Sequence, residues 1–91
     1  MSARIVIKAE REKPIINQHP WIFSGAITEM KGRPVPGDIV DVVSSKGKFL
    51  ARGYWNPQSQ IEVRLLTWQD EPIDRAWWAR WFGEFTFQVQ H

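Results

Sequence analysis

The sequence predicts one small domain that is mostly β with short helices, its strands wrapped into a barrel or sandwich and followed by a C-terminal helix. Three observations predict it. Short runs of β-branched and apolar residues alternate with polar ones, turn chemistry recurs roughly every 8–12 residues, and helical apolar spacing appears only near the end. With 91 residues, 43% hydrophobic and 24% charged, the chain has material for one core and is not of disordered composition.

Residues 4–9 open the fold as a strand, with Ile5, Ile7 and Ala9 alternating against Arg4, Val6 and Lys8. Residues 10–18 are polar and contain Pro14, which limits them to a short helix or turn. The stretch His19-Pro20-Trp21-Ile22-Phe23-Ser24-Gly25 fits no regular pattern and reads as an interruption. A strand over residues 26–30 then ends in a turn over 31–34. The Pro36-Gly37-Asp38 turn feeds the β-branched run Ile39 to Val43, the clearest strand of the chain. A turn over 44–48 leads to a strand over 49–55, and a second turn over 56–59 to a strand over 60–66. A barrel over residues 1–72 is expected on these grounds. It is followed by a helix and tail over 73–85, with Asp74 as N-cap and Ile73 before it.

The chain has no cysteine, so disulfides, thiolate metal sites and cysteine nucleophiles are excluded, and a cytoplasmic setting is expected. It has neither a signal-peptide pattern at its start nor an apolar run long enough to cross a membrane. The two histidines, His19 and His91, are far apart, and the six glycines match no nucleotide-binding fingerprint. The acids lack metal-ligand spacing. No catalytic residue and no metal ligand is therefore assigned, and this chain alone is not expected to be an enzyme.

Binding has more to draw on. Residues 1–66 carry ten lysines and arginines against six acids, and residues 67–91 carry two against four. A basic body with an acidic end suits a polyanion on one face, although an ordinary solvated surface gives the same count. Arg52 and Arg64 are expected roughly opposite each other across a hairpin centred near Pro57 and Gln58. An anion would relieve their repulsion, and so would a neighbouring acid. Six tryptophans are more than so small a core readily hides. Trp21 and Trp55 are base-stacking candidates, with a core role the alternative for each. Trp77, Trp78, Trp81 and Phe85 form a broad apolar helix face that either covers the barrel or docks a partner, another domain or a second copy.

Several ordered motifs carry a resemblance. They are Arg11 and Lys13 before His19-Pro20-Trp21-Ile22-Phe23-Ser24-Gly25-Ala26-Ile27, and Pro36-Gly37-Asp38 with Val40 and Val42. Gly47 with Phe49-Leu50-Ala51 and Gly53-Tyr54 follows, then Asn56-Pro57 with Ser59, Ile61 and Val63-Arg64. Over about residues 4–80 this set resembles the N-terminal segment of bacterial S-adenosylmethionine-dependent methyltransferases of large-subunit ribosomal RNA. In that family the segment is a PUA domain, a mixed β-barrel that helps hold RNA. The catalytic domain after it makes 5-methylcytosine with a cysteine nucleophile. The resemblance implies RNA as partner, ribosomal by family, and S-adenosylmethionine only for a downstream domain. It also implies an RNA groove beside the first helix, carried onto Lys8, Arg11, Lys13, Ser24 and Gly25, with Arg52 and Arg64 added. Pro20, Trp21 and Phe23 match the motif and shape that segment.

Overall fold

The computed structural model describes residues 3–80. Among the described residues, six strands form one mixed sheet: β1 (Ala3–Ile7), β2 (Trp21–Phe23), β3 (Ile27–Lys31), β4 (Ile39–Val43), β5 (Phe49–Trp55) and β6 (Ile61–Thr67). A 3-10 turn over Ala9–Arg11 and the helix α1 (Glu12–Ile16) follow β1, as expected for the segment around Pro14. The strand order is β2-β6-β5-β4-β1-β3, with β1 and β4 parallel and every other pair antiparallel.

That order forces the sheet to curl. Its two edges, β2 and β3, are joined only by the 3-10 turn Ser24–Ala26. Six strands laid flat would put the edges about 24 Å apart, five spacings of about 4.8 Å. The connecting residues reach about 14 Å even when fully extended. The sheet must therefore roll towards a barrel, and backbone bonds from Lys8 N to Ala26 O (3.0 Å) and Ser24 N to Gln60 O (3.1 Å) fasten the seam.

Alternation fills the inside. Ile5, Ile7, Ile22, Val40, Val42, Ala51, Val63 and Leu65 point inward and are buried, and Ile15 of α1 joins the same cluster. Each fully buried Ile or Val contributes about 1.5–3 kcal/mol relative to exposure. Val6 and Val43 are paired in the parallel register and are also buried, although they lie outside that cluster. β1 is thus covered on both faces at Val6, where simple alternation predicts an outward residue. The Trp68 indole donates to the Ile15 carbonyl (2.8 Å) and pins the end of α1 to the sheet. Gln18 then leaves the helix in the left-handed region, at φ 66°.

The turns follow their chemistry. Gly37 has φ 92°, the conformation that the third residue of a type II turn requires after Pro36. Asp38 closes the turn by accepting from the Val35 amide at 2.9 Å. Residues 75–80 are helical, and Asp74 Oδ1 accepts from the Trp77 amide (3.0 Å), the N-cap bond expected of it. The remainder of the expected helix and tail, including Trp81 and Phe85, lies outside the described residues.

One expectation is corrected. Residues 21–23 form a true strand, where the sequence reads as an interruption. Three residues are too few for a periodic signal, and the strand exists because β6 supplies partners: Trp21 pairs with Arg64 and Ile22 with Val63.

The segment after β6 carries a pH-sensitive contact. Glu71 Oε2 accepts from the Thr67 hydroxyl at 2.5 Å, and Arg80 Nη2 meets Oε1 at 2.5 Å. The Thr67 bond, then Arg80, holds the Glu71 carboxyl below its ordinary 4.5, against a desolvation cost. A depressed carboxylate stabilises the fold above the unfolded value, and that contribution is lost as pH falls through the folded one. The melting-temperature gap between wild type and Glu71→Gln should be constant around neutrality and close in acid. A gap independent of pH would remove this role from Glu71.

Candidate nucleic-acid interface

β2 presents its two faces differently. Ile22 turns inward beneath β6, so Trp21 and Phe23 must turn outward, and both rings are largely open at 45% and 47% exposure. α1 packs nearby through Ile15. Between helix and strand lies a cleft of about 240 Å³ lined by Arg11, Pro14, Ile15, His19, Trp21, Ile22, Phe23 and Ala26. Its floor is apolar, and a cation stands at its rim. His19 is edge-on to Trp21, with ring centroids 6.0 Å apart, and its Nδ1 accepts from the Trp21 amide at 3.3 Å.

The basic residues expected near this segment are largely free to reach solvent. Lys8, Arg11 and Lys13 are all exposed, and Lys8 is tied to the cleft by its backbone bond to Ala26. Ser24 and Gly25 are exposed just beyond Phe23, and no heavy atom outside the adjoining residues lies within 4 Å of where a Gly25 Cβ would sit. The backbone there is open to a ligand. Arg64 is half-buried on the outer face, between Trp21 of β2 and Tyr54 of β5.

Arg52 and Arg64 are not opposite each other. Arg52 pairs with Thr67, and Tyr54 faces Arg64. The Asn56 amide donates to the Glu62 carbonyl (2.7 Å), which moves the hairpin centre beyond Gln58, and a bulge beside Gly53 shifts the register again. Nor is Arg52 waiting for an anion. Its Nε meets Asp41 Oδ1 at 2.6 Å, its Nη2 meets Asp70 Oδ1 at 2.8 Å, and its Nη1 donates to the Glu71 carbonyl. The Asp41 hydrogen bond, with Asp70, raises its pKa against desolvation, so the guanidinium stays charged. Acids neutralise this arginine, and it ties strands together.

The tryptophans also separate. Trp55 packs against the core and donates to Glu62 Oε2 at 3.0 Å, so it offers no open stacking face comparable to Trp21. Trp77 is buried at 5% exposure, whereas Trp78 beside it is open at 44%, their rings meeting edge to face at 5.0 Å. Trp77 is therefore part of this chain's interior and not of a docking face.

Sequence reasoning gives His19 no binding role and Phe23 only a shaping one, and so leaves out their place in the cleft. The available signal is the Trp-Ile-Phe triplet, in which both outward positions are aromatic. Among the described residues, no group of three or more histidines and acids could hold a metal ion, and no helix is long and apolar enough to cross a membrane.

Residues 5–68 match the family model described as a PUA-like domain. The chain is 48% identical over 81 residues to a ribosomal RNA large subunit methyltransferase I of Tolumonas auensis, covering 88% of this chain and 20% of that protein. It is 47% identical over 81 residues to the protein of the same name from Shewanella amazonensis, with the same coverage. The chain thus spans about a fifth of the length of the curated relatives it matches. Among solved structures, a conserved PUA domain protein from Thermoplasma acidophilum superposes with a TM-score of 0.64 at 23% identity, over 80% of this chain and 53% of that one. A protein assigned to the SAM-dependent methyltransferases of Streptococcus mutans superposes with a TM-score of 0.66 at 14% identity, over all of this chain and 24% of its own. At such identities the structural likeness shows the fold alone.

Proposed function

The chain belongs to the PUA-like domain family, and from that premise we propose that it binds RNA as the RNA-holding module of a methyltransferase of large-subunit ribosomal RNA. The observation that carries this reading is the α1–β2 cleft, where two open aromatic rings stand beside Arg11, with Lys8 and Lys13 nearby. Rings and cations together suit a ligand with flat bases and a phosphate backbone. The curated relatives are named as ribosomal RNA methyltransferases and are more than four times as long, so methyl transfer and S-adenosylmethionine belong to the remainder of such a protein. A cytoplasmic setting goes with the same reading.

Charge reversal tests it. Arg11→Glu with Lys13→Glu should weaken RNA binding by at least about tenfold at low salt. It should also flatten the dependence of log K on log salt by about 0.7–0.9 for each phosphate no longer engaged. Fluorescence anisotropy with a labelled ribosomal RNA fragment measures both. Wild-type protein that fails to bind at low salt, or a variant with unchanged affinity and slope, would sink the proposal.

A further inference from the structure

We infer that the α1–β2 cleft takes a single unpaired base between Trp21 and Phe23, so that this module selects single-stranded or extruded nucleotides over continuous duplex. The inference rests on the RNA-binding reading above and specifies which form of RNA that site accepts.

Trp21 and Phe23 are two residues apart on one strand and face the same way, which separates their attachment points by about 6.8 Å along β2. Ile22 between them is buried and leaves the space between the rings clear of its own side chain. Both rings line the cleft, and the floor beneath them is Ile15, Ile22 and Ala26. At about 240 Å³ the cleft is smaller than the roughly 300–1,000 Å³ that drug-sized ligands occupy, which suits one flat ring system. Its apolar walls leave little for a phosphate to do inside, and Arg11 at the rim is placed for the backbone that follows the base.

Duplex RNA does not match this shape. Its base faces are stacked away inside the helix, and it offers proteins phosphates, 2′-hydroxyls and base edges across a shallow groove. Two half-exposed rings gain nothing from such a surface. An unpaired base has a free π-face, and covering the two rings with it removes apolar area from water. Trp21 is held for this role: its amide bonds to His19, and its partner on β6 is Arg64.

The test uses the 91-residue chain and one labelled oligoribonucleotide in three forms: single-stranded, annealed to its complement, and carrying abasic positions. The single strand should bind at least about tenfold tighter than the duplex. Trp21→Leu and Phe23→Leu should each lower single-strand affinity by about 5- to 100-fold, the range that losing one base–aromatic stack gives. Duplex affinity should be unchanged, and abasic substitution should cost nothing further in Trp21→Leu. Trp21→Phe keeps a ring and should retain most of the affinity, which separates stacking from misfolding. Equal binding of single strand and duplex by wild type, with the leucine variants unaffected, would overturn the inference while leaving RNA binding standing, and would assign the rings to a protein contact. No binding of either form at low salt would defeat the RNA reading itself, and this inference with it.

Discussion

Gly53→Ala is expected to lower the unfolding free energy by about 3 kcal/mol, the upper end of what forced overpacking costs. A Cβ at Gly53 would lie 2.2 Å from the Arg64 carbonyl oxygen and 2.8 Å from both the Arg64 carbonyl carbon and Leu65 Cα. All three are backbone atoms, so no side chain can rotate aside. β6 cannot simply retreat either, because β2 holds its other edge. Relief requires β5 and β6 to separate, which costs ladder hydrogen bonds and shifts the strand that carries Trp21. Gly25→Ala is the control: nothing lies within 4 Å of its Cβ, and its effect should stay within about 0.5 kcal/mol. Urea midpoints for the two variants decide the matter, and equal midpoints would refute the crowding argument.

The second large effect is expected at Arg52. Arg52→Met keeps the aliphatic bulk but removes the cation that joins Asp41 of β4 to Asp70 and the Glu71 carbonyl. The Asp41 side chain is only 19% exposed, and the arginine side chain itself 14%. Breaking such a pair from one side leaves a half-buried carboxylate without its partner, at a cost of about 3 kcal/mol. Adding Asp41→Asn to Arg52→Met should recover part of that loss, since the stranded charge goes with it. Chemical denaturation of the two single variants and the double variant measures the coupling, and strict additivity would show that the pair is energetically idle. The Asp70 arm matters less, because that carboxylate is largely in solvent.

The strands carried by local pattern are legible in the sequence. The β-branched run Ile39–Val43 and the strand Phe49–Trp55 occur where alternation and turn chemistry place them, and Pro36-Gly37 makes the turn its residues demand. β2 is not legible, since a three-residue strand is defined by Arg64 and Val63 some forty positions later. The same distance hides the register that separates Arg52 from Arg64, because bulges and loop closure leave no periodic trace. Trp68 makes its decisive bond to the Ile15 carbonyl, 53 positions away, and nothing near it in the chain announces that role. The candidate site is legible only in part. The motif from His19 to Ile27 covers the segment that lines the cleft, but which way Trp21 and Phe23 face depends on β2 being a strand.

The seam at Ser24–Ala26 also imposes an order in time. A chain made from its N-terminus exposes Trp21, Ile22 and Phe23 early, yet the strand that pairs with them is β6, residues 61–67. Closing a loop of that length is entropically costly, and it cannot begin until β6 has left the ribosome. A nascent chain ending before residue 61 would carry both rings without the surface that orients them. The orientation of the two rings therefore arrives late in synthesis and reports that β6 has taken its place beside β2.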